Sequence, residues 1–201
     1  DENSWQIDLD LVSDFLDSKT EIRNNVCVLK STGQRIKAII PVHVLGNMCD
    51  MNKLVSICKK HNISIVEDAA ESLGSSFEGK HSGTFGELGC FSFNGNKIIT
   101  SGGGGMIVTD NEDLAVRAKH LSTQAKADNF DYFHDAIGYN YRLTNVAAAI
   151  GLAQLEQLDD FIQKKHFIKD FYINSLNGLG DINFQTVDKN VNSNWWLFTI
   201  K

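Results

Sequence analysis

"IKAIIPVHVLGNMCDMNKLVSICKKHNISIVED", residues 36–68, decides the fold class. Ile36 to Val42 is a continuous apolar run, the pattern of a strand covered on both faces. Pro41, the only proline of the chain, marks its end. In the middle, Met51, Leu54, Val55 and Cys58 fall on one helical face, and Asp50 stands where an N-cap belongs. Ile63 to Asp68 is a second buried strand. Strand, helix and strand within about thirty residues make a βαβ unit, so the sheet is at least partly parallel.

The same reading extends downstream. Cys90 to Phe93 and Gly105 to Thr109 are strand-like. "NEDLAVRAKHL" (111–121) reads as a helix, with acidic residues in its first turn and basic ones later, as the helix dipole favours. From Thr144 the period becomes helical, with Val146, Ile150, Leu155, Leu158, Ile162 and Phe167 on the repeat. This predicts a helix long enough to link two domains. Residues 1–143 are then expected to form part of a large domain. Residues 144–201 are expected to form the linking helix and the start of a smaller domain. A turn-rich stretch, Asn177 to Asp181, precedes strand-like pieces that include "NWWLFTIK" (194–201). Because the chain opens at Asp1 and closes inside such a piece, it is expected to be a segment without its natural termini, with little activity by itself.

The 201 residues are 42% hydrophobic and 22% charged, ordinary for a globular chain able to bury a sizeable core. A net charge of −6 argues against nucleic acid as a partner. No apolar run reaches the length of a membrane span, and no signal peptide opens the chain. Cys27, Cys49, Cys58 and Cys90 lack zinc-like spacing and read as reduced core thiols, which points to the cytoplasm. No metal site is expected.

Open parallel sheets bind ligands outside the carboxyl ends of their strands. His43 follows the first strand there. Asp68 and Glu71 follow the second, and Ser92, Asn94 and Lys97 end or follow the strand at 90–93. A carboxylate and a lysine at neighbouring strand ends are what pyridoxal phosphate requires. The amine condenses with the aldehyde, and the carboxylate keeps the ring nitrogen protonated. A nearby hydroxyl can take the phosphate. From the pattern alone, Lys97 could equally be a surface charge, Asp68 a helix cap, and the four glycines 102–105 a turn.

"VEDAAESLGSSFEGKHSGTFGELGCFSFNGNKIITSGGGGMIVT" (66–109) and "AIGYNYRLTNVAAAIGLAQLEQLDDFI" (136–162) resemble the DegT/DnrJ family of sugar aminotransferases, fold-type I pyridoxal-phosphate enzymes. The ordered blocks E-D-A-A, S-F-x-x-x-K and G-Y-N-Y-R carry the resemblance, which covers nearly the whole chain. It implies a large domain with a mostly parallel sheet sandwiched by helices, and a small α/β domain. It implies Lys97 as the Schiff-base lysine and proton shuttle, and Asp68 as partner of the pyridine nitrogen. Glu71 would lie near the ring hydroxyl, and Ser92 on the phosphate. Asn140 would reach the phosphate of a neighbouring subunit in a homodimer with shared sites. His43 and Asn94 are candidate substrate contacts, although many members have His where Asn94 stands.

The family's upstream phosphate clamp and ring-stacking residue have no counterpart in this segment. The implied reaction moves an amino group from glutamate to the 4-keto carbon of a nucleotide-linked 4-keto-6-deoxy sugar, for surface-glycan synthesis. "NGNKIITSGGGGMIVT" with "STQAKAD" looks most like the branch acting on UDP-linked N-acetylhexosamines, as in legionaminic-acid and bacillosamine synthesis. GDP-perosamine-type synthases share the same blocks. Lys97 argues against the related sugar dehydratases, which replace it with His. Intact Asp68, Ser92 and Lys97 argue against a catalytically silent, regulatory relative.

Overall fold

A computed structural model describes residues 1–128 and 130–201. It begins with helix α1 (Leu9–Lys19), the antiparallel hairpin β1 (Thr20–Arg23) and β2 (Val26–Leu29), and strand β3 (Ala38–Ile39). A 3-10 turn at Val44–Gly46 leads to α2 (Met51–His61) and β4 (Ser64–Asp68). Next come β5 (Ser76–Phe77), β6 (Lys80–His81), β7 (Leu88–Ser92), β8 (Gly105–Val108) and α3 (Glu112–Ser122). Helices α4 (Asn145–Leu155) and α5 (Leu158–Leu176) and strand β9 (Val191–Asn192) complete the chain.

The four-stranded sheet runs β3-β4-β7-β8. The β3–β4 and β4–β7 pairs are parallel, and β8 returns antiparallel to β7. The unit read from residues 36–68 is therefore present. Asp50 caps α2 by accepting from the Lys53 N–H at 2.9 Å, and Met51, Leu54, Ile57 and Cys58 are its buried face. They pack with Leu9 and Leu16 of α1 and with Ile63, Ile65 and Phe77 into one core. Cys27, Cys49 and Cys58 belong to that core, whereas Cys90 is half-buried on β7 and outside it; all four cysteines are free, and burial pushes Cys49 up to about 12 and Cys58 up to about 11. Such thiols remain protonated and inert. No helix among the described residues is long and apolar enough to cross a membrane.

Three sequence expectations need correction. The run 36–42 is not covered on both faces. It supplies an edge strand of two residues plus a bridge from Val42 to Asp68, and Ile40 and Val42 are exposed. The helical pattern after Thr144 is broken at Glu156–Gln157, where Gln157 leaves helical geometry at φ −111°, ψ 7° and starts α5. Apolar spacing passes through such a break unchanged, because it records which face is apolar and not whether the axis continues. "NWWLFTIK" forms only one bridge, Ile200 to Phe184. Its Phe198 packs against Tyr172 of α5, Phe184 and Trp195. The paired strand there is β9, which adds to β5.

Candidate active site

Asp68 ends β4, and in the parallel register it lies opposite Cys90 of β7; Ser92 ends β7. The two parallel strands thus deliver a carboxylate and a hydroxyl to the same end of the sheet. Asp68 is half-buried. Its Oδ1 accepts from the Ala70 N–H at 3.1 Å, and no hydrogen bond to the described residues engages Oδ2. Ser92 Oγ accepts from the Asn94 N–H at 3.3 Å, which leaves its own proton available.

Lys97 sits on the loop that follows. Phe93 and Ile99, both buried, anchor the two sides of that loop. Its ends close through the Ser101 N–H to the Phe93 carbonyl, 3.1 Å, and the Lys97 N–H to the Asn94 carbonyl, 3.0 Å. The apolar residues around the lysine therefore fix the loop, and the glycines return it to the sheet. At Gly105 a Cβ would lie 2.3 Å from the Phe91 carbonyl oxygen, so only glycine lets β8 come this close.

The Lys97 side chain is 12% exposed, with Nζ 3.6 Å from Glu71 Oε1. The other oxygen of Glu71 accepts from the Leu45 N–H at 2.7 Å, so one carboxylate joins the turn after β3 to the lysine. Asn94 is exposed, and its side-chain amide donates to Asn96 Oδ1 at 3.3 Å. Asn140 lies on the loop before α4, which Thr144 caps, and is exposed. It lines a cavity of about 1160 Å³ with Gly103–Gly105, Arg142 and Thr144, which Lys97 and Asp68 do not line. The structure thus gathers Asp68, Glu71, Ser92 and Lys97 at one sheet end. Asn140 has no hydrogen bond or ion pair to them among the described residues.

His43 does not face an open cleft. Its ring and the Glu67 carboxylate are fully buried, with Nε2 2.9 Å from Oε2. Glu67 also accepts from the N–H groups of Gly83 at 2.7 Å, Phe85 at 2.6 Å and Gly86 at 2.8 Å. Burial alone would raise this carboxyl, but the His43 and backbone hydrogen bonds outweigh it and hold Glu67 below its ordinary 4.5. With the carboxylate ionised, Nε2 is the donor.

Removing Glu67 strands four donors, two of them buried. Glu67→Ala should therefore lose about 3–5 kcal/mol in urea unfolding. A depressed folded value contributes stability that is complete above pH 4.5 and lost as pH falls through the folded value. The gap between wild type and Glu67→Ala should accordingly narrow in acid below that pH. A gap independent of pH would show that Glu67 acts by shape and not by charge.

Sequence reasoning missed the contribution of residues 194–196. Asn194 is fully buried and donates to the carbonyls of Glu71 at 2.9 Å and Leu73 at 2.8 Å. Its Oδ1 fills the space beside Gly46, where φ is +84° and a Cβ would lie 1.8 Å from that oxygen. Trp196 places its ring 4.0 Å from Lys97 Nζ. The only signal in the sequence was polar: an Asn embedded in an aromatic stretch that a buried strand would not tolerate.

The DegT/DnrJ/EryC1/StrS aminotransferase family model matches residues 1–201. GDP-perosamine synthase of Escherichia coli O157:H7 is 42% identical over 200 residues, covering 100% of this chain and 50% of that protein. UDP-4-amino-4,6-dideoxy-N-acetyl-beta-L-altrosamine transaminase of Campylobacter jejuni subsp. jejuni serotype O:23/36 is 38% identical over 139 residues, covering 68% of this chain and 37% of that protein. Among solved structures, a DegT DnrJ EryC1 StrS aminotransferase from Brucella abortus superposes with a TM-score of 0.87 at 25% identity, over 100% of this chain and 51% of its own. The chain spans about half the length of the curated relatives it matches, or less.

Proposed function

This chain belongs to the DegT/DnrJ/EryC1/StrS aminotransferase family, with the fold of the type I pyridoxal-phosphate aminotransferases, and we propose that the protein transfers an amino group from glutamate to the 4-keto carbon of a nucleotide-linked 4-keto-6-deoxy sugar. The observation that carries this reading is the grouping of an amine, a carboxylate and a hydroxyl where two parallel strands end, with Lys97 as the amine. The donor set fits pyridoxal phosphate: a nucleophilic amine for the aldehyde, the uncommitted oxygen of Asp68 for the ring nitrogen, and the Ser92 hydroxyl for the phosphate.

When bound, that cofactor supplies the electron sink for exchanging an amino group. Lys97 would hold it and carry a proton to and from the substrate carbon. Asp68 would keep the ring nitrogen protonated, and Glu71 would steady the ring's hydroxyl side. Asn94, exposed beside the lysine loop, is the candidate substrate contact. His43 is bound to Glu67, the residue before Asp68, and is not a substrate contact in this reading.

The protein is further read as a cytoplasmic homodimer in which Asn140 serves the partner's site. Support comes from the apolar groups left exposed around it, Tyr139, Tyr141, Val146 and Ile150 among them. Residues 1–143 form the cofactor-binding part of this reading, and 144–201 the link to a smaller domain. The relatives named above include both GDP- and UDP-linked sugars. The lysine-loop spelling favours a UDP-linked N-acetylhexosamine.

The test is to supply the full-length protein with cofactor, glutamate and each keto-sugar nucleotide, and to follow the sugar by mass spectrometry. An amino sugar should form with glutamate consumed in equal amount, faster from the UDP-linked substrate. Cofactor binding without any aminated product from either nucleotide would overturn the assignment.

A further inference from the structure

Two residues remote from each other in sequence meet the Lys97 amine. Glu71 Oε1 lies 3.6 Å from Nζ, and the Trp196 ring centroid lies 4.0 Å from the same atom. Trp196 is 5% exposed, and its ring and backbone are both held. Its Nε1–H donates at 2.7 Å to the carbonyl of Asn96, the residue before the lysine. Its backbone N–H donates to Asn194 Oδ1 at 2.8 Å, and its carbonyl accepts from Lys165 Nζ at 2.9 Å. Asn194 in turn binds the backbone of Glu71. One buried asparagine therefore sets both walls around the amine. A ring face in such a dry setting holds a cation more firmly than an exposed one.

We propose that Trp196 is a positioning residue for Lys97: its indole face covers one side of the amine and holds it against Glu71, so that a carbonyl compound meets the nitrogen from the remaining side. The consequence for cofactor capture rests on the proposed function. The contact itself is tested without cofactor.

Competitive labelling with acetic anhydride reads it. The lysine nitrogen attacks the anhydride carbonyl, acetate leaves, and the nitrogen's proton passes to solvent. In the full-length protein, peptide mass spectrometry gives acetylation of Lys97 relative to the exposed Lys37. Trp196→Leu removes the ring face and should raise that ratio by about fivefold, the population change expected from losing a contact of this kind. Trp196→Phe keeps a ring face and loses the Nε1–H, and should leave the ratio near wild type. No rise in Trp196→Leu, or an equal rise in both variants, overturns the proposal. An equal rise would assign the effect to the tether on Asn96.

A measurement on the unsubstituted protein decides the matter even if Trp196→Leu does not fold. With ¹³C-labelled lysine, one side-chain methylene resonance should be displaced by the indole ring current and vanish in Lys97→Arg. Its absence overturns the proposal. A failed amino-transfer assay with a normal labelling ratio would count against the function and leave the positioning role standing. The reverse result would remove only Trp196.

Discussion

Lys97→Ala in the full-length protein is expected to abolish covalent attachment of the cofactor and lower amino transfer by at least about 10⁴-fold, because one side chain supplies both the nucleophile and the moving proton. The loss follows from Lys97 being the amine that the loop between Phe93 and Ile99 presents at the sheet end. Borohydride reduction followed by peptide mapping should mark Lys97 in wild type and no residue in the variant. Retained attachment at another lysine would show that the loop had been misread.

The same variant tests the shared site. Asn140→Ala is expected to be nearly inactive by itself. In a mixed dimer with Lys97→Ala, one site would carry both defects and the other neither. Reassociation of the two variants should then restore activity to roughly a quarter of wild type for random pairing. With subunit exchange verified by mass spectrometry, a flat result means that Asn140 serves its own chain.

The second large effect is expected at Asp68. Asp68→Asn is nearly isosteric and can still accept the Ala70 N–H that Oδ1 accepts at 3.1 Å, so the fold should survive. The amide supplies no negative charge for a ring nitrogen, and turnover should fall by about 10²–10³-fold. Steady-state kinetics should show the loss mainly in kcat, with unchanged thermal unfolding. Near-native turnover would separate Asp68 from the ring nitrogen and leave it as the cap of the following turn.

Local order was legible wherever the chain spells it out within a few residues. The alternation of apolar runs and an amphipathic segment over 36–68 determined the βαβ unit, because main-chain pairing and one-sided burial impose those periods on any sequence that adopts them. Asp50, Asn111 and Thr144 marked helix starts, and each caps its helix as an acceptor for an N–H three residues on. The sequence placed Asp68, Ser92 and Lys97 at or after strand ends, and the parallel pairing of β4 with β7 brings those ends together.

What the tertiary structure decided involves partners far apart in sequence. The direction of β8 is one case, since an apolar run reads the same parallel or antiparallel. The pairing of His43 with Glu67 is another: both are polar, and the backbone donors of Gly83, Phe85 and Gly86 join His43 in offsetting the cost of a buried carboxylate there. The last is Trp196 against Lys97. No periodicity links residues so far apart. Their meeting depends on Asn194 finding the carbonyls of Glu71 and Leu73 and the gap beside Gly46. Such contacts are set by satisfaction of buried polar groups after the chain has closed on itself, and a local pattern carries no record of them.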